Sequence, residues 1–281
     1  MDNREKGTLF ICATPIGNLE DITIRGLNVL RQIDVIACED TRRTIKLLNH
    51  FEIKPGRLFS FHEHSPPQKV DELIDELASG NDLALVADAG TPCISDPGAD
   101  LIKVCRQRGF KVTVLPGPSA ITAALAVSGF QSDSFVFWGF LNRLSAKERR
   151  KIMAQDRNRV AVMFESPHQI ITTLQELQEV RGDWEVVVVR ELTKKFEEVL
   201  PGTPVELKEH FGSQTPRGEI TIVIPPQDVP EDSISDYSLK RDLQNLVSAG
   251  VPSKHAVKSV ALLREVSRKR VYELQLELEG K

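Results

Sequence analysis

The chain has 281 residues, 41% of them hydrophobic and 27% charged, which is an ordinary globular composition and enough length for two compact domains plus a small appendage. A formal charge of −4 argues against a general polyanion binder but leaves room for a local basic surface. The four cysteines, Cys12, Cys38, Cys93 and Cys105, show neither metal-ligand spacing nor a C-x-x-C pair. Met1 to Gly7 is polar, and no apolar run approaches the ~20 residues of a membrane helix. The expectation is a reduced, cytoplasmic protein that does not enter a membrane and holds no metal.

In chain order, Thr8 to Ala13 reads as a buried strand and Thr23 to Gln32 as a helix, with Ile24, Leu27 and Leu30 on one face. Strands follow at Asp34 to Cys38 and Leu58 to His62. Lys69 to Ala78 is a helix closed by Gly80. Next come a strand at Leu83 to Asp88, a helix at Ala99 to Arg108 and a strand at Lys111 to Leu115. This alternation predicts a largely parallel α/β sheet with covering helices.

Pro116-Gly117-Pro118 breaks the pattern, and a small-residue helix runs from Ser119 to Ser128. Strands then become denser, at Phe135 to Gly139, Val160 to Glu165, Val186 to Glu191 and Ile220 to Ile224, with a helix at His168 to Val180. Residues 1–117 and 118–226 therefore read as two α/β domains, the second mixed. A proline-rich linker spans 227–236, and 237–281 reads as two or three helices broken at Gly250-Val251-Pro252. That last segment has nine Lys/Arg against five Asp/Glu on an otherwise acidic chain.

Ligands of open parallel sheets bind beyond the carboxyl ends of the strands. Thr14 to Leu19 follows the first strand, as a tight turn or as part of a site. Glu39-Asp40-Thr41-Arg42-Arg43 follows the second, either as a capped helix start or as reactive charge. Asp88 to Gly98 packs two Pro, two Gly and two Asp between a strand and a helix, and its stiffness suits a ligand loop better than an elaborate turn with Ser95 and Asp96 as caps. Neither G-x-x-x-x-G-K-[ST] nor G-x-G-x-x-G is present, which speaks against a P-loop or a standard dinucleotide fold. His62-Glu63-His64 lacks a third metal ligand.

These segments, with Pro116 to Ala120, Gly139-Phe140-Leu141, Glu165 to His168, Arg190 to Lys194 and Gly218-Glu219, resemble the tetrapyrrole methylase family. They are closest to the branch that methylates a cytidine 2′-hydroxyl in small-subunit ribosomal RNA. The likeness runs from Thr8 to Ile224. It implies two α/β domains with S-adenosyl-L-methionine in the cleft between them, a homodimer, and a substrate that is small-subunit RNA or the assembled subunit. It implies that Pro15, Asp88, Ala89, Gly90, Thr91, Pro92, Ile94, Ser95, Ser119, Ala120, Phe164, Glu165, Gly218, Glu219 and Ile220 line the cofactor, and that Glu39, Asp40, Arg42, Arg43, His62 and Lys194 face the RNA. Gln169 stands where an arginine is expected, removing one phosphate contact.

A ribose hydroxyl must lose its proton to attack a methyl group, so the base is expected in Glu39 or Asp40 and the stabilising cation in Lys194 or Arg42. Lys254 and Lys269 are expected among the phosphate contacts of the tail. The competing readings are a methylase of a small tetrapyrrole and a ribosome-assembly factor that binds RNA without catalysis.

Overall fold

The computed structural model describes residues 6–131, 133–213, 216–227, 236–264 and 266–278. Chain contacts divide it into a large unit, Met1–Gln155 with Val160–Pro225, and a small one, Asp156–Arg159 with Pro226–Lys281. Most of the expected linker lies outside the described residues.

The large unit holds two sheets. The first contains β1 (Thr8–Cys12), β2 (Val35–Cys38), β3 (Arg57–Ser60), β4 (Leu83–Val86) and β5 (Lys111–Leu115), all parallel, in the order β3-β2-β4-β1-β5. Its central strands carry apolar side chains on both faces because helices cover both. Helices α1 (Ile24–Gln32) and α2 (Thr41–His50) pack Leu30, Leu47 and Leu48 on one face. Helices α3 (Pro67–Ala78) and α4 (Ala99–Gln107) pack Leu73, Leu77 and Leu101 on the other. Each fully buried leucine contributes about 2 kcal/mol. From the adjacent pair β1 and β4, the chain crosses in opposite directions, to β2 and to β5. Their carboxyl ends therefore border the crevice where such sheets bind ligands.

The second sheet is mixed. It contains β6 (Phe135–Phe140), β7 (Val160–Glu165), β8 (Val186–Arg190), β9 (Glu198–Gly202) and β10 (Ile220–Ile224), in the order β6-β7-β10-β8-β9. Only β6 and β7 run parallel. Helix α5 (Ala120–Ser128) covers one face through Ile121 and Ala124. Helices α6 (Ala146–Met153), α7 (Ile170–Arg181) and α8 (Pro204–Gly212) cover the other through Met153, Leu174 and Phe211. Ser145 and Glu148 close a capping box at α6, and Thr203 and Glu206 another at α8, each satisfying amides that a helix start leaves unpaired.

In the small unit, α9 (Asp236–Ser248), α10 (Ser253–Leu263) and α11 (Arg268–Leu278) bury Leu239, Leu243, Val257, Val260, Val271 and Leu274. Gly250, at φ +86°, makes the turn where the sequence places the break.

The expectation of two α/β domains followed by helices holds. Helix α2 was anticipated only as a start, and α6, β9 and α8 not at all. The α6 stretch is too polar for its periodicity to show. Pro201 disguises β9, which tolerates it as an edge strand. Helix α4 begins at Gly98 without a side-chain cap, so neither Ser95 nor Asp96 caps it.

Candidate active site

The switch-point loops are tied together by backbone. Thr14 N donates to Gly90 O at 2.9 Å, and Gly90 N donates back to Thr14 O at 3.0 Å. Gly90 sits at φ +79°, where a side chain is strained. The β1 loop also touches the loop after β8: Asn18 N donates to the Thr193 hydroxyl at 3.0 Å. A Cβ on Gly17 would lie 2.5 Å from Lys194 Cγ, so the close approach requires glycine. Glu191 and Thr193 are left-handed at φ 52° and 64°, a strain held by these contacts.

One cavity of about 420 Å³ opens at these strand ends. The first sheet supplies Ile16, Glu39, Arg43, Asp88–Thr91 and Ile94–Asp96. Ser119–Ile121 enter at the start of α5, and Phe140, Phe164–Pro167 and Gly218–Thr221 come from the second sheet. The Phe164 ring stands 5.4 Å from that of Phe140 and 4.9 Å from that of Phe137, giving the cavity a flat apolar side.

Of the residues expected at a cofactor, Asp88, Ala89, Gly90, Thr91, Ile94, Ser95, Ser119, Ala120, Phe164, Glu165, Gly218, Glu219 and Ile220 line this cavity. Pro15 and Pro92 are buried and outside its lining. Glu39 and Arg43 line it, whereas Asp40, Arg42, His62 and Lys194 do not. Ile16, Asp96, Ile121, Phe140, Ser166, Pro167 and Thr221 line it without having been assigned a place. Ile16, Asp96, Phe140, Ser166 and Pro167 stood inside motifs already singled out; Ile121 and Thr221 gave no signal beyond adjacency.

Asp40 is committed elsewhere. Its carboxylate caps α2 by accepting from Arg42 N at 2.9 Å and takes two further bonds from the Arg42 guanidinium, at 3.0 and 2.7 Å. Those hydrogen bonds hold its pKa at about 2. Asp88 accepts from Asp40 N at 3.0 Å and lies 3.4 Å from Arg43 Nε. Glu39 is pushed up by burial and then by Asp88, with Arg43 and His62 pulling back. Asp96 is pushed up to about 7 by burial, then by Glu39 and Asp88.

On the second sheet, Glu165 is only 3% exposed and accepts from Ser166 N at 2.6 Å and from the Thr173 hydroxyl. Lys194 Nζ lies 2.7 Å from Glu191 and 3.1 Å from Glu219. Burial opposes the lysine's charge, but the bonds to Glu191 and Glu219 outweigh it and hold its pKa above the ordinary value. A Cβ on Gly218, at φ +93°, would fall 2.2 Å from Glu191 Oε1, so only glycine lets that carboxylate reach Glu219 N.

His62 lines a separate groove with Glu63, beside α4. Among the described residues, no three His, Cys, Asp or Glu side chains are grouped to hold a metal. In the small unit, Lys254, Arg268, Lys269 and Tyr272 line one groove, while Lys240 pairs with Glu277 and Arg270 with Asp236. Among the described residues, no helix is long and apolar enough to cross a membrane.

A parallel α/β sheet and a mixed one, sharing a cavity at their strand ends, define a two-domain α/β protein built around one small-molecule site. Residues 8–208 match the model of the tetrapyrrole (corrin/porphyrin) methylases. The chain is 47% identical over 220 residues to the ribosomal RNA small subunit methyltransferase I of Thermotoga maritima, covering 78% of this chain and 98% of that one. It is 39% identical over 280 residues to the protein of the same name from Synechocystis, covering 98% and 99%. The uroporphyrin-III C-methyltransferase of Thermus thermophilus, solved with S-adenyl homocysteine, shares the fold at a TM-score of 0.56 and 15% identity, over 77% of this chain and 97% of that one. The chain belongs to the tetrapyrrole methylase family.

Proposed function

We propose that this chain is a methyltransferase that uses S-adenosyl-L-methionine to methylate the 2′-hydroxyl of a cytidine in small-subunit ribosomal RNA. The observation that carries the reading is the cavity itself, which is lined both by the Phe140 and Phe164 ring pair and by the acidic residues Glu39, Asp88 and Asp96. A molecule with a flat base and a cationic end fits those walls. The RNA substrate rests on relatives named as methyltransferases of small-subunit ribosomal RNA, such as those of Thermotoga maritima and Synechocystis, which match over most of this chain.

When bound, the cofactor supplies a methyl group made electrophilic by its sulfonium. The protein's contribution is to hold, orient and exclude water. The aromatic pair and Ile94 offer the base an apolar face, and the backbone of Asp88–Thr91 offers fixed polar groups. Of the two carboxylates expected to handle the proton, Glu39 lines the wall and Asp40 is tied to Arg42. Glu39 serves either as base or as the charge that makes a neighbour more basic. Of the two cations, Lys194 reaches the site through Glu219, a wall residue, whereas Arg42 is spent on Asp40. Residues 1–117 and 118–226 act as the two halves of the catalytic body. The protein works in the cytoplasm as a homodimer.

Tritiated cofactor incubated with undermethylated small subunits should place label in RNA as an alkali-resistant dinucleotide, and Glu39→Ala should lower kcat roughly tenfold or more. Label absent from RNA, despite cofactor binding, would instead favour a small-molecule substrate. In the full-length chain, Lys254→Glu with Lys269→Glu should weaken small-subunit binding about tenfold at fixed salt while leaving cofactor affinity unchanged. Unchanged subunit binding would remove the tail from the interface.

A further inference from the structure

We propose that Asp96 is the group that takes the proton from the acceptor hydroxyl; this rests on the methyl-transfer reading above. Two hollows meet at this residue. One is the strand-end cavity. The other is the groove beside α4, reached by His62 and Glu63 after β3, Asp71 on α3, and Asp100 and Lys103 on α4. Among the described residues, Asp96 is the one that lines both. A ribose is part of a macromolecule and must approach a cofactor cavity from an opening, so a carboxylate standing at an opening meets the incoming hydroxyl.

The local backbone fixes Asp96 there. Cys93 and Ser95 are left-handed at φ 71° and 63°, and the Cys93 thiol donates to Pro97 O at 3.8 Å. A Cβ on Gly98 would fall 2.5 Å from Leu85 Cδ2, so the loop lies flat against the β4 strand. Helix α4 takes no side-chain cap, which leaves the Asp96 carboxylate uncommitted to it.

The surrounding charges favour Asp96 over its neighbours as base. In the cavity it faces Glu39, Asp88, Glu165 and Glu219, with Arg43 as the cation of that wall. Arg43 lies against Asp88 and, with His62, draws the Glu39 proton affinity down. Among the described residues no such cation offsets burial at Asp96, where Glu39 and Asp88 add to it and carry the carboxyl to about 7. A base with that affinity is half-ionised near neutrality and still holds a proton well.

In the step, the hydroxyl O–H bond breaks and its proton passes to the Asp96 carboxylate. The oxygen's electron pair forms the bond to the methyl carbon, and the carbon–sulfur bond breaks with its pair left on sulfur, which becomes a neutral thioether. Asp96 then releases the proton to water.

The test is Asp96→Asn in the full chain, which keeps shape and removes basicity. With cofactor and subunits saturating, kcat should fall roughly 100-fold or more while the dissociation constant for S-adenosylhomocysteine changes by less than about threefold. In the unaltered protein, kcat/KM for the cofactor should rise with unit slope below pH about 7 and level off above it, because only the ionised carboxylate accepts a proton. Carbon-13 NMR of the free protein should show one carboxyl titrating near 7, absent from Asp96→Asn. A variant that keeps its kcat, or loses only product affinity, would overturn the role. Failure of the unaltered protein to label RNA would overturn the methyl-transfer reading instead, and this role with it.

Discussion

On the wall built by the first sheet, Glu39 and Asp96 hold carboxyls whose pKa is raised by burial and by neighbouring carboxylates, Asp88 among them for both. On the wall built by the second, Glu165 is satisfied by Ser166 and Thr173, and Glu191 and Glu219 share Lys194. The same functional group does opposite work on the two walls. A carboxylate with its acceptor sites filled fastens loops together; one short of partners costs stability and keeps its reactivity. In the proposed mechanism the proton-handling carboxylates belong to the parallel domain, and the mixed domain holds its own carboxylates in hydrogen bonds and ion pairs.

The largest stability effect expected from that contrast is at Glu165. Glu165→Ala leaves the Ser166 amide and the Thr173 hydroxyl without an acceptor in a buried place, a loss of about 2 kcal/mol in urea unfolding. Glu39→Ala should cost far less, because among the described residues no hydrogen bond of that kind holds its carboxylate, and burial already disfavours its charge. If Glu39→Ala proved the more damaging, the division between a reactive wall and a fastened one would fail.

The sequence shows this division only in part. Strands such as Val160–Glu165 and Val186–Arg190 are apolar up to their last residue, so their burial was legible, and the loops after them could be located by counting. Which charges those loops satisfy was not legible. Asp40 and Glu39 are adjacent in the chain, yet one is locked to Arg42 and the other lines the cavity, because Asp40 occupies the N-cap of α2 and points its carboxylate at that helix. The Asp88–Gly98 segment read as a ligand loop, but Asp96 within it could also have been a helix cap; the chain instead starts α4 two residues later, at a glycine of positive φ. The partnership of Lys194 with Glu219 joins residues far apart in sequence, and no local pattern announces it.

Lys194 offers a smaller and sharper test. Its aliphatic stem packs on Gly17 of the first domain, and its charge sits between Glu191 and Glu219 of the second. Lys194→Met keeps the stem and removes the charge, so packing across the two domains should survive. Glu191 would still accept from Glu219 N at 2.9 Å. The loss in urea unfolding should therefore be only about 1 kcal/mol. The pair Glu191 and Glu219 would then stand without their cation, and Glu219 lines the cavity. A positively charged cofactor should bind the variant as tightly or tighter, because the site has lost a like charge, while kcat falls for want of a cation beside the developing alkoxide. Weaker cofactor binding with kcat intact would make Lys194 a fastening of the β8 loop and nothing more, and would leave the chemistry wholly to the first sheet.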